Sequence, residues 1–368
     1  MIDPTAKVLA ERVLERTIEI AAVPAPTGAE ADRARVVAEW WRTDGWSDVH
    51  ADGAGNVWAL ARPGTGAAIL LAAHLDTVFP ADLPYTVFEE GGRLIGPSVG
   101  DDSVALAALS AVGTLLSEQL GGPLWLLATT GEEGLGNLRG ILEALDAFTP
   151  TIGAMIAVEG NYLGRVSVVG VGSRRWRVSV SGPGGHAWEA SEAPSAIHAA
   201  ADLIGDTARL SEGRPQVVVN VGRIGGGEAI NARARACWFD LDLRADDPAA
   251  LGALADEARA LIEAKALGGI EVGIEELGSR PAGRLDAGHP LVRAAAVALE
   301  EAGIDPEFVA TSTDANAAHV RGIPAVALGI TTGSGEHTPK EWIDIAPIAD
   351  GLSILARTVM GFDEEETR

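Results

Sequence analysis

The sequence predicts an α/β protein, a mixed but mostly parallel sheet flanked by helices, with a smaller α+β domain inserted into it. Short, continuously apolar runs alternate with longer stretches of helical periodicity, as buried parallel strands and their crossover helices do. Between residues 173 and 274 the pattern changes to strict apolar–polar alternation, the mark of a sheet with one wet face. A chain of 368 residues is also longer than one compact core usually accommodates, so two domains are expected.

Two helices open the chain. Val8, Leu9, Val13, Leu14, Ile18 and Ile20 mark the first, and Val36, Val37, Trp40 and Trp41 the second, with a Pro24-Ala25-Pro26-Thr27-Gly28 turn between them. Buried strands are expected at 67–73, 124–128, 152–158 and 325–330, and helices at 104–120, 138–145, 291–302 and 345–360. In the inserted region Trp176, Val178 and Val180 alternate with Arg177, Ser179 and Ser181. Farther on, Phe239, Leu241 and Leu243 alternate with Asp240, Asp242 and Arg244. Helical segments at about 195–210 and 248–267 punctuate these strands, and 278–283 reads as the linker returning to the larger domain. The expected division is therefore 1–172 and 282–368 for the larger domain and 173–281 for the insert. The acidic run 363–366 reads as a solvated tail.

Composition narrows the function. Hydrophobic residues make up 47% and charged residues 22%, an ordinary globular balance. Lys and Arg number 28 against 52 Asp and Glu, a formal charge of −24, which repels phosphate backbones and anionic lipid. Nucleic acid and membrane partners are not expected. The single Cys237 excludes an intrachain disulfide and, between apolar neighbours, reads as inert. The opening Met-Ile-Asp-Pro-Thr has no leader pattern, and no uniformly apolar run approaches the ~20 residues a bilayer span needs, so a cytoplasmic location is expected.

The chemistry clusters at strand ends. The run 67–73 ends in His74-Leu75-Asp76; the run 124–128 leads to Glu132-Glu133; the run 152–158 ends in Glu159; and the run 325–330 leads through a Gly-rich loop to His337. Ligands of open α/β sheets bind outside the carboxyl ends of the strands, so these four strands aim imidazoles and carboxylates at one rim. Imidazole and carboxylate donors suit zinc, cobalt or manganese. His74 and Asp76 face the same side of extended chain, Glu132 and Glu133 diverge so that each takes one role, and Asp101, in a loop before a helix, could bridge two cations. Two divalent cations, three ligating carboxylates and one hydroxide sum to neutrality. Such a pair, about 3.5–4 Å apart, activates water and polarises a carbonyl, with a spare carboxylate as general base.

Each residue also has a plainer reading. His74 alone would be a core histidine, Glu132-Glu133 a helix start, Asp101 a helix cap, and Glu159, His186 and Asn231 turn residues. Arg244 would be a solvent-face residue of an alternating strand. His50, His198, His289 and His319 suggest no role. A rival motif, Gly96-Pro97-Ser98-Val99-Gly100, matches a nucleophile elbow, with Asp314 and His337 following in hydrolase order. It leaves Glu132, Glu133 and Glu159 unexplained. A catalytically silent relative binding a ligand through the same cleft is the third alternative.

The ordered set His74-Leu75-Asp76, Gly100-Asp101-Asp102, Gly131-Glu132-Glu133-Gly134, Glu159 and Glu336-His337-Thr338-Pro339 resembles the dinuclear-zinc peptidase and deacylase family. That family includes glutamate carboxypeptidase, acetylornithine deacetylase, succinyl-diaminopimelate desuccinylase, aminoacylase and peptidase T. The resemblance runs from Ala25 to Glu341. It implies a zinc-exopeptidase-like sheet, a ferredoxin-like lid and dimerisation domain, and a homodimer that cleaves an amide bond in a small carboxylate-bearing substrate: a dipeptide, a short peptide or an N-acyl amino acid. By resemblance, two divalent metals, zinc first and cobalt or manganese as alternatives, are held by His74, Asp101 and Glu159 on one side and by Asp101, Glu133 and His337 on the other. Glu132 is then the general base, and Asp76 orients His74. His186, in Gly182-Pro183-Gly184-Gly185-His186, stabilises the oxyanion across the dimer, while Asn231 and Arg244 grip the substrate carboxylate. The Asp101–Asp102 peptide bond is expected to be cis. Ser103 and Val104 stand where many relatives have Lys and Gly. Glu159, where peptidase T has Asp, leans toward carboxypeptidase or deacylase chemistry.

Overall fold

A computed structural model describes residues 4–367. Met1, Ile2 and Asp3, which open the stretch read above as lacking a leader, lie outside them. The chain divides into two compact units, one comprising the chain up to Gly170 and from Arg284 onward, the other Val171–Gly283.

The first unit is built on a large mixed sheet. Strands Leu124–Thr129, Ala68–His74, Ile152–Glu159 and Ala325–Gly329 lie side by side at its centre, all parallel. Val57–Arg62 and then Ser47–Ala51 extend the Leu124–Thr129 edge antiparallel, while Arg165–Gly170 and Glu307–Thr311 extend the other side. Each central strand is apolar up to its carboxyl end because both faces are covered. Ile69, Leu71 and Ala73 enter one core with Ala154, Ile156 and Val158, while Leu70 and Ala72 enter the opposite core with Met155 and Ala157. The first core is closed by helices Pro4–Ala21, Val104–Leu116, Pro290–Glu301 and Ile348–Thr367, and the second by Arg139–Ala147 and Ala315–His319.

Several sequence expectations need correction. The 18 residues of Val99–Leu116 are apolar and long enough to cross a membrane by composition, although no such run was expected. That window is 83% buried within the fold, and it joins the kinked segment Val99–Ser103 to the helix Val104–Leu116 of the first core. The acidic run 363–366 continues the helix Ile348–Thr367 rather than forming a tail; the side chains of Glu364 and Glu366 lie outside the description. Residues 278–280 are not linker but the end of strand Glu271–Arg280, with a register shift between Glu276 and Gly278. A glycine inside a strand often marks such a bulge.

In the second unit the chain runs strand Gly172–Ser181, helix Ala196–Ala208, strands Val217–Gly226 and Ala236–Ala245, helix Pro248–Ala264 and strand Glu271–Arg280. This βαββαβ order forms a four-stranded antiparallel sheet in which Ala236–Ala245 and Gly172–Ser181 are central. Trp176, Val178, Val180, Phe239, Leu241 and Leu243 are buried with Leu203, Leu254 and Ile262 of the two helices, so the alternating pattern separates a helix-covered face from a wet one. On the wet face Arg177 stands opposite Asp240 and holds it with two bonds of 2.8 and 2.9 Å.

Candidate metal centre

The parallel strands of the first unit end together. His74 is the last residue of its strand and Glu159 of the neighbouring one; Glu132 and Glu133 follow Thr129 after a turn at Gly131, whose φ of 65° favours glycine. His337 lies in the loop beyond Gly329, and Asp101 in the loop before the helix Val104–Leu116. The Asp101–Asp102 peptide bond is cis.

These side chains converge. Asp101 stands between two imidazoles: its Oδ1 is 2.9 Å from His74 Nε2 and its Oδ2 is 3.2 Å from His337 Nε2. Glu133 Oε1 is 3.2 Å from the same His337 nitrogen. Donor atoms within 4.8 Å of one another form three overlapping groups: His74 with Asp102 and Glu159, His74 with Glu132 and Glu133, and Asp101 with Glu133 and His337. All seven residues are His, Asp or Glu, the donor set that suits zinc, cobalt or manganese.

The electrostatics show how much negative charge is gathered there. Burial and nearby Asp102 push the Glu159 carboxyl well above its ordinary value; burial and Asp101 do the same to Asp102. His74 is raised despite burial, chiefly by Asp102 and by its bonds to Asp101 and Asp76. His337 is raised to about 10 by its bonds to Asp101 and Glu133. Asp101 is lowered, although buried, by its bonds to the two imidazoles. Protons on the histidines thus neutralise carboxylates that a cation would neutralise better, so the residues fit a metal pair.

Asp76 acts through more atoms than its spacing suggests. His74 Nδ1 is 3.0 Å from the Asp76 main-chain oxygen and 3.5 Å from its carboxylate. That carboxylate accepts from the main-chain N–H groups of Glu132 and Glu133 at 3.0 and 2.9 Å, and from Thr27 Oγ1 at 2.9 Å. One aspartate therefore fixes both the first imidazole and the acidic pair.

Sequence reasoning missed further supports. Asp102 accepts from His74 N and Gly160 N, each at 3.0 Å, tying two strand ends together. Glu30 accepts from Gly28 N and Gly131 N. Arg33, fully buried, donates to Val23 O, Leu75 O and Ser98 Oγ. Glu341 accepts from Gly100 N and Asp101 N, and burial beside Asp101 raises it to about 8. Only the doubled aspartate and the Glu ending the His-Thr-Pro segment were visible signals; Glu30 and Arg33 look like ordinary helix-start residues.

The rival nucleophile is not assembled. Ser98 is fully buried, takes the Arg33 guanidinium at 2.8 Å and lies 3.2 Å from Ser103 Oγ. Asp314 accepts from Thr129 Oγ1, and His337 Nε2 faces Asp101 and Glu133.

The second unit carries the remaining sequence candidates. His186 is exposed, its Nδ1 accepting from Trp188 N at 3.3 Å and Glu189 N at 3.5 Å. Asn231 lies beside it, its main-chain carbonyl accepting from Ala187 N at 2.8 Å. Arg244 Nε bonds Asp242 at 2.9 Å.

Comparison with known proteins gives a consistent pattern. The family described as peptidase family M20/M25/M40 matches residues 70–361. A tripeptidase from Staphylococcus aureus superposes with a TM-score of 0.83 at 22% identity, covering 99% of this chain and 100% of its own. An aminopeptidase PepT from Bacillus cereus gives 0.80 at 23% identity, over 96% and 98%. A dinuclear metal-binding peptidase from Bacillus subtilis gives 0.70 at 17%, over 96% and 98%. At these identities the superpositions show a shared fold. No curated protein matches the chain significantly.

Proposed function

The chain belongs to peptidase family M20/M25/M40, and on that premise we propose that this metallopeptidase uses two metal ions, zinc first among them, to cleave an amide bond in a short peptide or N-acyl amino acid with a free carboxylate. The observation that carries the reading is Asp101, with one carboxylate oxygen facing His74 and the other facing His337.

His74, Asp101 and Glu159 would hold one ion, and Asp101, Glu133 and His337 the other. Asp102 stands in the first group, but both its oxygens are occupied by main-chain N–H donors, which favours Asp101 as the ligand. Bound there, the ions would lower the pKa of water and polarise the scissile carbonyl. Glu132, 6% exposed and grouped with His74 and Glu133, takes the proton from the attacking water and passes it to the leaving amine. Asp76 holds the main chain of Glu132 and Glu133 during that transfer. His186 stabilises the oxyanion from the partner copy of a homodimer, and Asn231 and Arg244 take the substrate carboxylate. The lean of Glu159 toward carboxypeptidase or deacylase chemistry meets structural neighbours described as an aminopeptidase and a tripeptidase, so both ends of the substrate need testing.

The test is a panel of dipeptides, tripeptides and N-acetyl and N-succinyl amino acids, assayed after chelation and again with zinc, cobalt or manganese restored. Activity lost on chelation and recovered with metal is expected; indifference to chelation sinks the proposal. Mixing His186→Ala with Glu132→Gln protein should restore part of the activity if the imidazole acts across subunits, and no rescue removes that role.

A further inference from the structure

We propose that Glu341 is a positioning residue that locks the loop carrying His337 to the loop carrying Asp101, holding the Asp101, Glu133 and His337 ligand set ready for its cation. The inference rests on the metal reading above.

Glu341 is fully buried. Its Oε1 accepts from Gly100 N and Asp101 N, both at 2.7 Å, short for N–H···O bonds. Its main chain is tied on both sides: Gly96 N donates to Glu341 O at 2.9 Å, and Glu341 N donates to Thr338 O at 3.1 Å. Thr338 N and Oγ1 in turn both donate to Gly335 O, closing the turn around His337, whose φ is 62°. A single residue therefore connects the segment before the bridging aspartate with the turn after the second imidazole. The arrangement also constrains its neighbour, because a Cβ at Gly100 would stand 2.7 Å from Glu341 Oε1.

Two features separate this role from general packing. The other oxygen, Oε2, is buried with no hydrogen-bond partner among the described residues, an arrangement that costs stability. The strand Trp342–Asp344 already pairs with Arg93–Ile95, so the two segments are joined next to Glu341 without its side chain. The carboxyl sets their final placement.

The experiment uses the full chain as wild type, Glu341→Ala, Glu341→Gln and Gly100→Ala. Zinc binding is measured by calorimetry with a competing chelator, and folding by circular dichroism and thermal melting. The expected result is that Glu341→Ala weakens one of the two zinc equivalents about tenfold or more while leaving the other within about threefold. Glu341→Gln keeps an acceptor oxygen and stays close to wild type at both steps. Gly100→Ala displaces the carboxyl without removing it and reproduces the selective loss, which decides the matter if Glu341→Ala does not fold. Unchanged affinities in both Glu341→Ala and Gly100→Ala overturn the inference, as does equal weakening of both equivalents. A wild type that binds fewer than two equivalents overturns the dinuclear reading, and this inference with it; a wild type binding two isolates the failure to Glu341.

Discussion

The strand-end rim of the first unit and the wet sheet face of the second are both rich in acids, and they treat them oppositely. On the sheet face the carboxylates are answered by arginines: Arg177 grips Asp240 with Arg223 nearby, and Arg175 reaches Asp242. On the rim, Asp101, Asp102, Glu132, Glu133 and Glu159 crowd together with two imidazoles. Charge matched side by side holds a surface together, whereas a buried excess of one sign stores a demand for a counter-ion. The contrast, more than the number of acids, separates scaffold from the proposed reactive centre.

The strongest way to break that contrast is Glu132→Gln. If the rim is catalytic, turnover falls by about 10²–10⁴-fold with zinc uptake unchanged, read by steady-state kinetics beside metal titration. Normal turnover would return Glu132 to the scaffold. Next in size is the effect of metal on folding. Zinc at about 100 times its dissociation constant should add roughly 2.7 kcal/mol per site against urea; no shift would mean that the rim acids do not require a cation.

Proton linkage sharpens the comparison further. In chelator, the folded chain holds protons on His337, raised to about 10, and on His74, Asp102 and Glu159, all raised, more tightly than the unfolded chain does. The folded state therefore binds the excess protons, and stability falls as pH climbs from the ordinary histidine value, near 6.5, toward 10. The lowered Asp76 and Asp101 act in the opposite sense, but in acid. Urea melts at pH 6, 8 and 10 without metal should show this decline, and a flat profile contradicts it. Zinc uptake should accordingly release protons, seen as a buffer-dependent calorimetric enthalpy. The smallest effect is expected on the sheet face: Arg177→Ala should move the melting midpoint by no more than about 2 °C and leave zinc uptake untouched.

The four central strands were legible because double burial writes a continuous apolar run, and the metal-binding candidates other than Asp101 because they follow where those runs stop. Peripheral strands such as Ser47–Ala51, exposed except at Val49, carry no such periodicity. The positioning groups were hidden for another reason. Arg33 meets Ser98, Asp102 meets Gly160 and Glu341 meets Gly100 only once the chain has folded back on itself. Local pattern finds the residues that point into a site, but not those that hold the site from behind. The two central strands of the wet-faced sheet were readable from their alternation, yet its arginine–aspartate matching emerged only with the register between strands.

Strand order has a consequence for biosynthesis. The strand ending at Glu159 is flanked in space by Ala68–His74, made long before it, and Ala325–Gly329, made long after. All of Val171–Gly283 is translated in between. A nascent chain on the ribosome therefore exposes Asp101, Glu133 and Glu159 well before His337 arrives. On the proposed ligand assignment, the ion that His337 would hold is loaded only at the last stage of synthesis, and any chain clipped ahead of that histidine is born without a complete centre.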